Sequence, residues 1–80
     1  MNSNSLLPLE LLPTGECADV EDVHGEPGWI GRLAELGMKH GSRIRVLQGG
    51  SPCLLQVNGS RLSIRASGAR QILVRLVKES

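Results

Sequence analysis

Apolar and polar positions alternate along most of this chain, and the alternation breaks in one place. Arg43–Gln48 puts Ile44 and Val46 on one face and Arg43 and Arg45 on the other. Cys53–Val57 puts Cys53, Leu55 and Val57 together, and Arg61–Arg65 turns Leu62 and Ile64 inward. Ile72–Val77 is apolar at Ile72, Val74 and Leu76. A period of two over a handful of residues is the pattern of a half-buried strand. Glu16–His24 reads the same way at Ala18 and Val20, but Val23 falls on the other parity, so a bulge or bend is expected near Glu21-Asp22. The break is Pro27–Leu36. There Ile30, Leu33 and Ala34 follow helical spacing, and Pro27 suits a first turn, where its missing N–H costs nothing.

The punctuation agrees with these elements. Gly37 follows the helical run, where a left-handed residue closes a helix without a Cβ penalty. Gly41 bends the chain into the next strand. Asn58-Gly59 is the strongest short hairpin signal, because both residues tolerate positive φ. Leu6–Leu12 is apolar but carries Pro8, which places it at an edge or in an irregular segment. Pro13-Thr14-Gly15 and Gly49-Gly50-Ser51-Pro52 are turns, and Ala66–Gln71 reads as one tight helical turn. Gly31 weakens the helix, and is expected to let it approach a strand closely. Five short strands, one inserted helix and a short helical turn before the last strand make a small, mostly β barrel, whose curl removes exposed edges. The expected domain is 6–77, with flexible tails at 1–5 and 78–80.

Composition narrows the chemistry. Trp29 is the sole aromatic, so the core is aliphatic. Cys17 and Cys53 are no disulfide framework and read as two reduced thiols buried in strands. The N-terminus lacks a basic segment followed by an apolar run, and no stretch approaches the roughly 18–20 apolar residues that cross a bilayer. A cytoplasmic chain is expected, with any membrane role carried by a partner. Net charge is +1, but its distribution is lopsided. Residues 1–30 carry acids and no Lys or Arg, whereas all nine basic residues lie in 31–80. That split predicts either cross-pairing in the fold or two faces of opposite sign.

Catalysis finds no foothold. No local spacing joins either thiol to His24 or His40, and no glycine-rich loop runs into a lysine and a helix. His24 and Glu26 are the nearest approach to a metal pair, but no compact set of three ligands accompanies them, and no metal site is expected. Arg43, Arg45, Arg61, Arg65, Arg70 and Arg75 would serve nucleic acid if clustered, yet single-strand binding adds stacking aromatics, which are missing. Protein binding is left. Trp29, Ile30, Leu36 and Met38 are the expected contact residues, since Trp anchors many interfaces. The competing reading of Trp29 is a cap on the core. Arg32 and Glu35 are expected to pair with neighbours and orient the helix.

The run Arg32-Leu33-Ala34-Glu35-Leu36-Gly37-Met38, then Gly41-Ser42, Ile44 and Val46, then Val57-Asn58-Gly59, Leu62-Ser63-Ile64-Arg65, Ala69, Ile72 and Val74 resembles the FeoA family. These are small proteins of bacterial ferrous iron uptake, and the domain is similar to the C-terminal domain of DtxR-type repressors. The resemblance covers residues 6–77, and its specific part is Arg32, Leu33, Glu35, Leu36, Gly37 and Gly41. It implies an SH3-like β-barrel without enzymatic activity or cofactor. Its implied partner is the cytosolic GTPase-bearing part of the FeoB transporter, with weak self-association as an added expectation and no nucleic acid. The runners-up are a metal-linked regulatory or self-associating domain and a small nucleic-acid-binding barrel. Two positions depart from the family pattern: Gly49-Gly50-Ser51-Pro52 lacks an acid, and Gly68 stands where an acid is usual.

Overall fold

The computed structural model describes residues 6–77. Among the described residues six antiparallel strands form one sheet, in the order β1-β6-β2-β3-β4-β5. The strands are β1 (Leu6–Pro8), β2 (Cys17–Val23), β3 (Arg43–Gln48), β4 (Cys53–Val57), β5 (Ser60–Ile64) and β6 (Ile72–Leu76). Helix α1 (Pro27–Glu35) joins β2 to β3, and the short α2 (Ala66–Ala69) joins β5 to β6. Five strands were expected, and the sixth is β1. Its three residues pair with the middle of β6, Leu6 opposite Arg75 and Pro8 opposite Leu73, before a 3-10 turn at Leu9–Leu11. Pro8 fits there because an outer strand needs no donor on its free side.

The inward parity is the one read from the pattern. Ala18, Val20, Ile44, Val46, Cys53, Leu55, Val57, Ile64, Ile72 and Val74 are all buried. Leu9, Leu12, Leu33, Met38 and Ala69 complete the core. Each fully buried aliphatic side chain contributes about 1.5–3 kcal/mol. Leu76 departs from expectation: it is 44% exposed, beyond the last pairing that β1 makes with β6. Cys17 also departs. It lies on the outward parity and is half-buried, whereas Cys53 is in the core.

The register of β2 against β6 slips between Val20 and Asp22, so Glu21 is the bulged residue and Val23 changes face. The tight β4–β5 turn holds Asn58 at φ 51 and Gly59 at φ 80, both in the left-handed region that this hairpin requires. The split charge resolves into cross-strand pairs. Asp19 on β2 meets Arg43 on β3 at 2.8 Å, and Glu21 meets Arg75 on β6 at 3.2 Å.

Helix α1 begins without a side-chain cap, on extended backbone at Glu26 followed by Pro27. It ends in a Schellman motif. The Met38 N–H donates to the Leu33 carbonyl at 2.8 Å, and the Gly37 N–H to Ala34 at 3.0 Å, with Gly37 at φ +98. Gly31 plays no part in close packing. A Cβ there would meet nothing within 4 Å. Gly31→Ala is therefore expected to stabilise the protein by about 1 kcal/mol through helix propensity alone. In a thermal melt this reads as a rise of roughly 4–8 °C. No change, or a loss, would mean that the helix backbone at Gly31 is strained.

Candidate partner-binding groove

Trp29, Arg32, Leu33 and Leu36 recur at the spacing that lines up one helix face. That face of α1 looks across an open groove of about 670 Å³ toward Leu62–Arg65 of the β5 end and Ser67-Gly68 of α2. Glu26 and Gln71 also line it.

Trp29 sits between core and surface. It packs against the buried cluster, yet it remains partly accessible and lines the groove. Two glycines make room for it. A Cβ at Gly68 would sit 2.9 Å from Trp29 Cζ2 and 3.1 Å from Ile64 Cγ2. A Cβ at Gly25, itself at φ +130, would sit 2.9 Å from Trp29 Cε3. Gly68 is thus the seat of the indole ring. Gly68→Ala is expected to destabilise by about 1–3 kcal/mol, the usual cost of overpacking. In a Trp29→Leu background the ring is gone and the helix-propensity gain at Gly68 remains. The same change should then cost clearly less, with only the Ile64 contact left to relieve, and denaturant midpoints of the four proteins read that coupling. An additive result would mean that Gly68 and Trp29 do not share this space.

The expected contact residues separate on inspection. Leu36 is 46% exposed and sits on the groove. Ile30 is half-buried and does not line it. Met38 is corrected outright: it is 1% exposed, a core residue that no partner reaches. The cause is the Schellman motif, which brings the residue after the glycine back against the helix, here Met38 with buried Leu33. That signal was present in Leu33, Gly37 and Met38 but is read only when the helix end is treated as a motif. Arg32 and Glu35 are also corrected. Among the described residues no ion pair involves either, and Arg32 lies along the groove instead. Leu62, Arg65 and Gly68 were missed as site residues, because nothing local in the sequence places β5 and α2 opposite the helix.

The remaining chemistry is dispersed. His24 and His40 are exposed and lie 3.2 Å from Asp22 and 3.5 Å from Glu21. Glu26 lines the groove rather than joining His24. Among the described residues no three His, Cys, Asp or Glu side chains converge as a metal group. Burial pushes the Cys53 thiol up, which keeps it protonated. On the sheet, Arg43 and Arg75 are answered by Asp19 and Glu21. Among the described residues no helix is long and apolar enough to cross a membrane.

Comparison with known proteins converges on one family. The sequence pattern of the FeoA domain matches residues 7–76. The chain belongs to the FeoA family. Its members are accessory proteins of ferrous iron transport. A solution structure of FeoA from Chlorobium tepidum is 31% identical, with a TM-score of 0.87 over 92% of this chain and 73% of that one. A crystal structure of Stenotrophomonas maltophilia FeoA complexed with zinc, described as a procaryotic SH3 domain protein, is 34% identical, with a TM-score of 0.69 over 82% of this chain and 86% of that one. The T. acidophilum IdeR structure, 19% identical with a TM-score of 0.82 over 96% of this chain and 37% of that one, shares the fold alone. No curated protein sequence matches the chain. The SH3-like barrel implied by the sequence is the observed architecture. Gly37 and Gly41, at φ +98 and +89, and the Asn58-Gly59 turn supply its left-handed bends.

Proposed function

We propose that this FeoA-family protein works in the cytoplasm by docking onto the cytosolic GTPase-bearing part of a FeoB-type transporter, through the groove between α1 and the β5–α2 segment. It contributes no reaction of its own and reaches the membrane only through that partner. The observation that carries this reading is the groove itself: a half-buried Trp29 beside an exposed Leu36, with Arg32 and Arg65 at its walls. Partly desolvated Trp and Arg are the side chains that dominate protein interfaces. The supporting context is membership of a transport-accessory family.

Leu36→Glu tests it. Leu36 is already 46% exposed, so the fold should not change. The purified GTPase-bearing domain of the transporter is titrated into the wild type and the variant in a calorimeter. Saturable binding to the wild type, weakened about tenfold or more by Leu36→Glu at an unchanged melting temperature, supports the reading. No binding by the wild type at high micromolar concentration would sink it.

A further inference from the structure

The groove has an unusual wall. Leu62, Ser63, Ile64 and Arg65 all line it, although consecutive residues of a strand point to opposite faces. Both parities reach one groove only when the groove runs along the edge of the strand. β5 is such an edge, the last in the sheet, and among the described residues it pairs with β4 alone.

The hairpin fixes which backbone groups lie open. Its two-residue turn makes Val57 and Ser60 the closing pair. Hydrogen-bonded and non-hydrogen-bonded pairs alternate from there, so Leu62 and Ile64 exchange bonds with Leu55 and Cys53. Arg61 and Ser63 therefore aim their N–H and C=O groups away from β4. Among the described residues no backbone hydrogen bond outside the regular elements reaches them. An added strand would find these groups available, as in other sheet-edge recognition.

Side chains specify the occupant. Along the edge, Arg61, Ser63 and Arg65 point one way, and Leu62 and Ile64 the other, toward the core. Arg32 faces the groove from α1, and among the described residues neither it nor Arg61 nor Arg65 has an ion-pair partner. A second copy of this chain fits badly: antiparallel pairing of two β5 edges about Ser63 would set Arg61 against the copy's Arg65, like charges directly opposed. A strand with acids at both ends answers the same row.

We infer that the groove binds an extended acidic segment of a partner protein, of the pattern acid–apolar–polar–apolar–acid, which adds to β5 as a seventh strand. The acids face Arg61 and Arg65, the middle residue exchanges backbone hydrogen bonds with Ser63, and the two apolar side chains follow Leu62 and Ile64 beside Leu36. This deepens the docking reading above and rests on it only for which protein supplies the segment.

The test is a titration of the ¹⁵N-labelled full chain with acetyl-Glu-Val-Thr-Val-Glu-amide, followed by NMR. Saturable shifts confined to residues 61–65, the Trp29 indole N–H and Leu36 are expected. The Lys-Val-Thr-Val-Lys peptide and the Arg61→Glu/Arg65→Glu variant should each bind about tenfold or more weakly, since opposite charges become like charges. Glu-Val-Pro-Val-Glu, which has no N–H to donate to Ser63, should also lose binding. No shifts at millimolar peptide, equal binding of the proline or lysine peptide, or shifts elsewhere on the protein would overturn the inference. So would sedimentation showing a dimer built on β5, or a dT10 oligonucleotide that produces the same shifts more tightly. The transporter's GTPase-bearing domain separates the two readings. If it binds the wild type and Arg61→Glu/Arg65→Glu alike, the edge-strand mode fails and the docking reading stands. If the peptide binds and that domain does not, the reverse holds.

Discussion

Met38→Ala is expected to lower the stability of this protein by about 2–5 kcal/mol, the usual cost of truncating a buried Met with little collapse around it. A domain of 80 residues has roughly 4–12 kcal/mol to lose, at about 0.05–0.15 kcal/mol per residue. The change therefore brings it close to unfolding at physiological temperature. The reason is position. Met38 follows the helix-ending glycine, its N–H is held by Leu33 at 2.8 Å, and its side chain is 1% exposed within the core. It joins α1 to the sheet in one step. Urea denaturation measures the loss as a lower midpoint at an unchanged slope. Partner binding, expressed per folded molecule, should not move, because Met38 lies behind the groove rather than on it. A Met38→Ala protein of normal stability with weakened binding would return this residue to the contact surface and invert the assignment.

The strands were legible because their chemistry is local. Ile44 and Val46 alternate with arginines, and only one face of a curled sheet is dry. The β4–β5 turn was legible because Asn58-Gly59 has few other uses. The bulge at Glu21 was legible from a single parity change at Val23. Even the charge split resolved as a fold-level statement, since Asp19 and Arg43 sit in directly paired positions. The site was harder. Trp29 and Leu36 are on the exposed side of a helix face whose spacing is visible, but the opposing wall comes from β5 and α2, and only the sheet order brings those there. Gly68 was noticed as a missing acid, and its physical meaning, a seat for the Trp29 ring, is a distance between elements that no spacing encodes. Gly31 was misread for the same reason: a glycine on a helix looks like a close approach until a neighbour is found to be absent.

Gly37→Ala should cost about 2–5 kcal/mol, and the two sources of that loss are separable. Gly37 sits at φ +98, where an L residue pays roughly 1–2 kcal/mol of backbone strain. Its Cβ would also run into the Asn58 side chain and lie 3.4 Å from Val57 Cγ1, adding an overpacking cost of about 1–3 kcal/mol. Gly41 isolates the first source. It has φ +89, and a Cβ there would meet nothing within 4 Å, so Gly41→Ala should lose only the strain. Asn58→Gly isolates the second. Asn58 is at φ 51, so glycine tolerates the turn, and removing the amide opens the space. The double variant Gly37→Ala/Asn58→Gly should therefore recover the packing share and fall by about as much as Gly41→Ala does, relative to Asn58→Gly alone. The turn between the two glycines is otherwise anchored. Ser42 Oγ donates to the Gly37 carbonyl at 2.5 Å, and the Gly41 N–H donates to Val20 on β2 at 2.7 Å. Because these bonds leave the helix end little freedom to back away from the hairpin, the clash at Asn58 is not relieved by a shift of α1. If Gly37→Ala costs no more than Gly41→Ala, α1 does move, and the groove wall formed by Trp29, Arg32 and Leu36 is adjustable rather than fixed.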